Sequence, residues 1–148
     1  MKKLFLIVWL IALHATAQAA TLKMASFSSS GDAKKVFAAM KIAETSDGKR
    51  LETSDGSLEC GELDDKKFGC ALLLEEKKAE VSIVDEKTVR FSGKIAQLIW
   101  DQVDAKVTPR TGSITKDVAN LSCWIGSNPQ HRVVKCQARN IKLATVQF

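Results

Sequence analysis

The chain has 148 residues, carries a formal net charge of +5 and contains no tyrosine. That length holds one ordinary domain or two very small modules. No stretch is proline-rich or of low complexity, which excludes collagen-like and linker-dominated proteins.

Met1-Lys2-Lys3 is a short positive start, followed by the apolar run Leu4 to Leu13 and then Ala17-Gln18-Ala19. This order of charge, apolar run and small residues predicts a secretory signal peptide over 1–19, cleaved after Ala19. The apolar run is roughly half of the about 20 residues that a membrane-spanning helix needs. No cysteine stands at the cleavage site, so no lipid anchor is indicated, and the mature chain 20–148 contains no spanning segment. The pattern is bacterial in type and predicts a periplasmic or secreted destination. Asn120-Leu121-Ser122 is a glycosylation sequon that such a setting leaves idle.

Ser26 to Ser30 reads as a flexible patch. After it, Ala33, Val36, Phe37 and Met40 recur at helical spacing and predict a helix over 31–43, with Ser30 or Asp32 as cap. Asp47-Gly48 and Asp55-Gly56 are tight-turn signals. They belong to a local repeat, Glu44-Thr-Ser-Asp-Gly48 and Glu52-Thr-Ser-Asp-Gly56. Its spacing fits neither an EF-hand nor a glycine-rich calcium nonapeptide, so two hairpin turns explain it better than a metal. Phe68 to Leu74 and Glu80 to Val84 read as strands separated by the charged Glu75 to Lys78.

Ile95, Leu98, Ile99 and Val103 predict a second helix over 93–103, with Ser92 as cap. Val118 to Ile125 and Arg132 to Ala138 read as strands around the turn cluster Gly126 to Gln130. The residues from Ile141 to Phe148 suit an edge or closing strand. The expected fold class is therefore α+β. It comprises two small similar modules, 20–86 and 87–148, each with one helix on antiparallel strands and one local disulfide, sharing or not sharing one compact domain.

The similarity of the modules rests on a shift of 63 residues. Ala33, Thr45, Leu58 and Cys60 then fall on Ala96, Thr108, Leu121 and Cys123. Val36, Phe37, Met40 and Leu51 fall on Ile99, Trp100, Val103 and Ile114. With three extra residues in the second hairpin, Cys70 falls on Cys136, and Phe27-Ser28 and Phe91-Ser92 precede the helices alike. Four cysteines in an exported chain point to two disulfides with three possible connectivities. A zinc site wants closer pairs than these. Internal duplication selects Cys60–Cys70 and Cys123–Cys136, each bridge contributing roughly 2–3 kcal/mol.

Charge divides unevenly. Residues 20–86 hold 10 Lys and Arg against 14 Asp and Glu, and residues 87–148 hold 10 against 3. Either the halves attract at an internal seam, or Arg110, Lys116, Arg132, Lys135, Arg139 and Lys142 form a face for an anionic partner. No aromatic-and-basic sheet motif of the RNA-recognition type is present, so nucleic acid is not an expected partner.

No catalytic set emerges. His131 is the one histidine of the mature chain and lies in a turn, where no third group holds it for nucleophilic catalysis. Glu59, Glu62 and Asp64-Asp65 cluster about Cys60 as hairpin charges rather than as carboxylates facing each other across a cleft. Cys-x-x-Cys, phosphate-cradling and dinucleotide motifs are absent. No cofactor, metal or enzymatic activity is expected.

In layout, the mature chain resembles the β-lactamase inhibitory proteins, which duplicate a small helix-and-sheet module with one disulfide per copy. The resemblance covers the arrangement of the mature chain and no specific motif; it implies a fold and, more faintly, an inhibitor-like role. One helix over an antiparallel sheet is also similar to the cystatins. Their Gln-x-Val-x-Gly loop is missing, and Gln102-Val103-Asp104-Ala105-Lys106 does not replace it. The expected function is an envelope binding or inhibitor-like protein whose partner is a protein or an anionic envelope component. The alternative is a basic structural protein seated on anionic lipid or polymer. Trp124, with His131, Arg132, Lys135 and Arg139 around it, is the expected surface, because aromatic and arginine anchors dominate interfaces.

Overall fold

The computed structural model describes residues 21–27, 32–63, 67–76, 78–126 and 133–147. The expected signal peptide, the Ser28 and Ser30 positions, Asp64-Asp65, and His131 with Arg132 lie outside the described residues.

In chain order the elements are β1 (Thr21–Phe27), α1 (Asp32–Ala39), β2 (Lys49–Thr53), β3 (Gly56–Glu62), β4 (Phe68–Glu75), β5 (Glu80–Asp85) and β6 (Thr88–Ser92). Then follow α2 (Lys94–Gln102), β7 (Val107–Arg110), β8 (Ser113–Val118), β9 (Leu121–Gly126), β10 (Val134–Arg139) and β11 (Lys142–Gln147). All strand pairs are antiparallel. They form a five-stranded sheet, β11-β1-β4-β3-β2, and a six-stranded sheet, β5-β6-β10-β9-β8-β7.

This corrects the α+β expectation. The described residues are mostly β, with two short helices of eight and nine residues among them. The helix expected over 31–43 stops at Ala39, for a reason outside its own sequence. The segments that leave the two helices run antiparallel and exchange backbone hydrogen bonds. Lys41 N–H donates to Gln102 O and Asp104 N–H to Ala39 O, both at 2.7 Å, around a bridge between Met40 and Val103. Backbone groups that would have extended each helix are spent on the other, satisfying the orphan groups of both C-termini. Met40 and Val103 are buried there.

The chain passes between sheets twice. β5 leaves β4 to become the edge of the second sheet, and β11 leaves β10 to become the edge of the first. Each sheet is thus completed by a strand that follows the second cysteine strand of the other. One contiguous core results. It joins Leu58, Leu72 and Leu74 of the first sheet, Val89, Phe91 and Leu121 of the second, and Val36, Ile95 and Ile99 of the helices. α1 touches β8 as well as β3 and β4, and α2 touches β2 and β3 as well as β6, β9 and β10.

Cys60–Cys70 and Cys123–Cys136 are bonded, each across directly opposed strand positions. In each half, the second sulfur lies 3.7 Å from a helix carbonyl, Cys70 Sγ at Ala33 O and Cys136 Sγ at Ala96 O. The 63-residue correspondence holds for these helices and for β3 and β9, but not for β2. Lys49 faces Cys60 as Lys116 faces Cys123, so Leu51 corresponds in register to Val118 and not to Ile114. The β2–β3 hairpin is longer by two residue pairs before its turn.

That added length carries Asp55 across to the other half. The buried Asp55 carboxylate accepts the Lys94 N–H at 2.6 Å and the Ile95 N–H at 2.9 Å, capping α2 from 39 residues away. The Thr53 hydroxyl donates to the same carboxylate. Gly93 precedes the helix at φ 117°, and a Cβ there would stand 2.3 Å from Asp55 Oδ2. Glycine leaves room for the carboxylate to reach the helix.

Candidate binding face on the second sheet

Strand alternation decides which side chains leave the core. In the second sheet, Cys123 and Cys136 point inward, so Trp124 and Lys135, paired next to them, point outward. Register sets one row across the outer face, Glu80–Ser92–Lys135–Trp124–Thr115. The adjacent row reads Ser82–Arg90–Gln137–Ser122–Asp117.

Trp124 is half-buried and lies outside the core cluster. The Arg90 guanidinium sits 5.6 Å from its ring centroid and donates from Nε and Nη2 to Gln137 Oε1 at 3.2 and 2.9 Å. Such a contact is worth about 0.5–1 kcal/mol where solvent is near; it also fixes the guanidinium. Arg139 Nη2 donates to Ser122 Oγ at 3.4 Å, and Ser92 Oγ donates to Glu80 Oε2 at 3.4 Å. Lys135 is exposed and has no carboxylate partner among the described residues.

Two hollows adjoin on this face. One of about 650 Å³ is lined by Trp124, Lys135, Ser113, Val133, Lys78 and glycines 93, 112 and 126. The other, about 190 Å³, is lined by Arg90, Ser82 and Phe91. Both also touch Glu80, Ser92 and Lys135, so Lys135 stands between them.

The first sheet differs at the equivalent place. Next to its disulfide the outward pair is Gly61 with Gly69. Leu63 folds over that pair, so that a Cβ on Gly69 would meet Leu63 Cδ1 at 2.7 Å. The hollow there, about 330 Å³, carries Asp47, Glu59 and Glu62. Glu59 is also within 3.8 Å of Arg50.

Of the surface expected from sequence, Trp124 and Lys135 are paired, and Arg139 lies on the same face two rows along. Lys116 instead points inward, donating to Trp100 O at 2.6 Å with its ammonium 4.8 Å from the Trp100 ring centroid. Lys142 belongs to the first sheet, and Arg110 lies 3.9 Å from Asp117. Arg90, Ser122 and Gln137 were not singled out by sequence reasoning, and Ser92, expected as a helix cap, instead bonds Glu80 on this face. Alternation within β9 and β10 gives Ser122 and Gln137 beside Trp124 and Lys135, whereas Arg90 requires knowing that β6 pairs with β10.

Among the described residues only one ion pair, the exposed Lys41–Asp104 at 3.6 Å, joins the acidic half to the basic half. Among the described residues no group of three His, Cys, Asp or Glu converges to hold a metal ion. No described helix is long and apolar enough to cross a membrane. No protein-family model, curated protein or solved structure matches this chain, so the resemblances to β-lactamase inhibitory proteins and cystatins carry no argument for fold or function.

Proposed function

We propose that this is an exported, non-catalytic binding protein of the bacterial envelope, and that it binds through the outer face of its second sheet. The observation that carries this reading is the Trp124–Lys135 pair, set beside a disulfide and flanked by Arg90 and Arg139. Two disulfides and the export-type start of the chain support an oxidising compartment. The matching strand orders, the reciprocal edge strands and the two equivalent sulfur–carbonyl contacts support an internal duplication. On that reading one copy has glycines at the outward pair and the other has an aromatic anchor and a cation.

Charge left unpaired on this face favours an anionic envelope component over an apolar protein interface, the inhibitor-like reading taking second place. The test is binding of labelled 20–148 to envelope fractions at low and high salt, beside Trp124→Ala and Lys135→Glu. Wild-type binding that both substitutions weaken about tenfold supports the face. Equal binding by wild type and both variants refutes it. Binding that survives about 1 M salt, where screening shortens to about 3 Å, would move the reading to a packed protein interface.

A further inference from the structure

We infer that the ligand of this face is a linear anionic polysaccharide, an inference that rests on the binding face proposed above. Three features of the face select that chemistry. The first is a groove that runs across strands. The hollows share Lys135, Ser92 and Glu80 and extend from Ser82 on β5 to Ser113 on β8. Four inter-strand spacings make that path about 19 Å, long enough for several sugar units in a row. A Cβ at Gly112, on its rim, would meet nothing within 4 Å, so the rim is uncrowded at that point.

The second feature is the kind of group that lines the path. Trp124 offers an apolar ring with a polar edge, suited to the C–H face of a pyranose. Ser82, Ser92, Ser113 and Glu80 line the hollows and supply hydroxyl and carboxylate partners for sugar hydroxyls, with Gln137 and Ser122 beside them in the adjacent row. The third is charge at intervals. Lys78, Lys135 and Arg90 line the two hollows, where carboxylates spaced along a chain would meet them. A guanidinium held over Trp124 and bonded to Gln137 is already oriented for this, which lowers the ordering cost of binding.

A lipid surface fits less well. Trp124 lies half-buried among its neighbours rather than projecting, and the row beside it, from Ser82 to Asp117, is polar.

The experiment is titration calorimetry of oxidised 20–148 with oligogalacturonate, with a neutral maltooligosaccharide, polyphosphate and phosphatidylglycerol vesicles as comparisons. Oligogalacturonate is expected to bind, the neutral sugar at least about tenfold more weakly. Trp124→Ala is expected to weaken binding about tenfold, and Lys135→Ala about three- to tenfold. Arg50→Ala, on the outer face of the first sheet, is expected to leave it unchanged. Circular dichroism separates lost binding from lost folding, and Lys135, fully on the surface, gives a variant that folds. Equal affinity for polyphosphate or vesicles, or oligogalacturonate binding indifferent to Trp124, overturns the saccharide. No binding to oligogalacturonate, with envelope binding still dependent on Trp124 and Lys135, overturns the ligand class and leaves the face standing. Loss of both dependences overturns the two together.

Discussion

Removing the Asp55 carboxylate should unlock the junction between the two halves. The side chain serves two helix N–H groups of α2 and the Thr53 hydroxyl from a buried position. Loss of a helix cap costs about 0.5–2 kcal/mol. Here the Ile95 residue is buried, and its N–H would be left without a partner, which costs about 1–3 kcal/mol. These contributions overlap, so Asp55→Ala should destabilise by about 2–4 kcal/mol. Asp55→Asn, which keeps one acceptor oxygen, should cost roughly half as much. The local repeat supplies the control. Asp47 precedes glycine in the same five-residue sequence but is exposed, so Asp47→Ala should stay within about 0.5 kcal/mol. Urea denaturation of the oxidised protein reads the difference. With a slope of about 1.5 kcal/mol/M, the Asp55→Ala midpoint falls by roughly 1.3–2.7 M. An Asp55→Ala midpoint indistinguishable from that of Asp47→Ala would refute the cross-half cap.

Gly93→Ala should act at the same junction, losing about 2 kcal/mol or more through a strained φ and displacement of Asp55, as thermal melts will show. Replacing either cysteine pair by alanine should lower stability by about 2–4 kcal/mol, yet leave one cooperative unfolding transition, because both halves share a core. Two separated transitions in calorimetry would contradict that sharing. Deleting residues 141–148 removes the strand that pairs with β1, so hydrogen exchange in β1 should accelerate far more than in β6.

Long-range pairing is what the sequence hid. The strands β4, β5, β10 and β11 were legible from their alternation, and the disulfide pairing followed from the correspondence of the halves. β1 and β6 were not, because each mixes inward Phe27 or Phe91 with polar outward residues and leads directly into a helix. β7 carries Pro109, which suits an edge strand but masks it in sequence. The missing strands made two short helices look like half of the architecture. Trp124 could be placed outward once Cys123 was fixed inward, by alternation alone. Asp55 looked like an ordinary turn residue, since nothing local says that its turn lies against a helix of the other half.

The measurement that bears most directly on the binding face is a backbone amide NMR map of 20–148 titrated with oligogalacturonate. Shifts gathered at Arg90–Ser92, Ser122–Gly126 and Lys135–Arg139 are the predicted result. Shifts gathered instead at Ser57–Gly61 and Gly69–Leu73, the corresponding face of the first sheet, would contradict it.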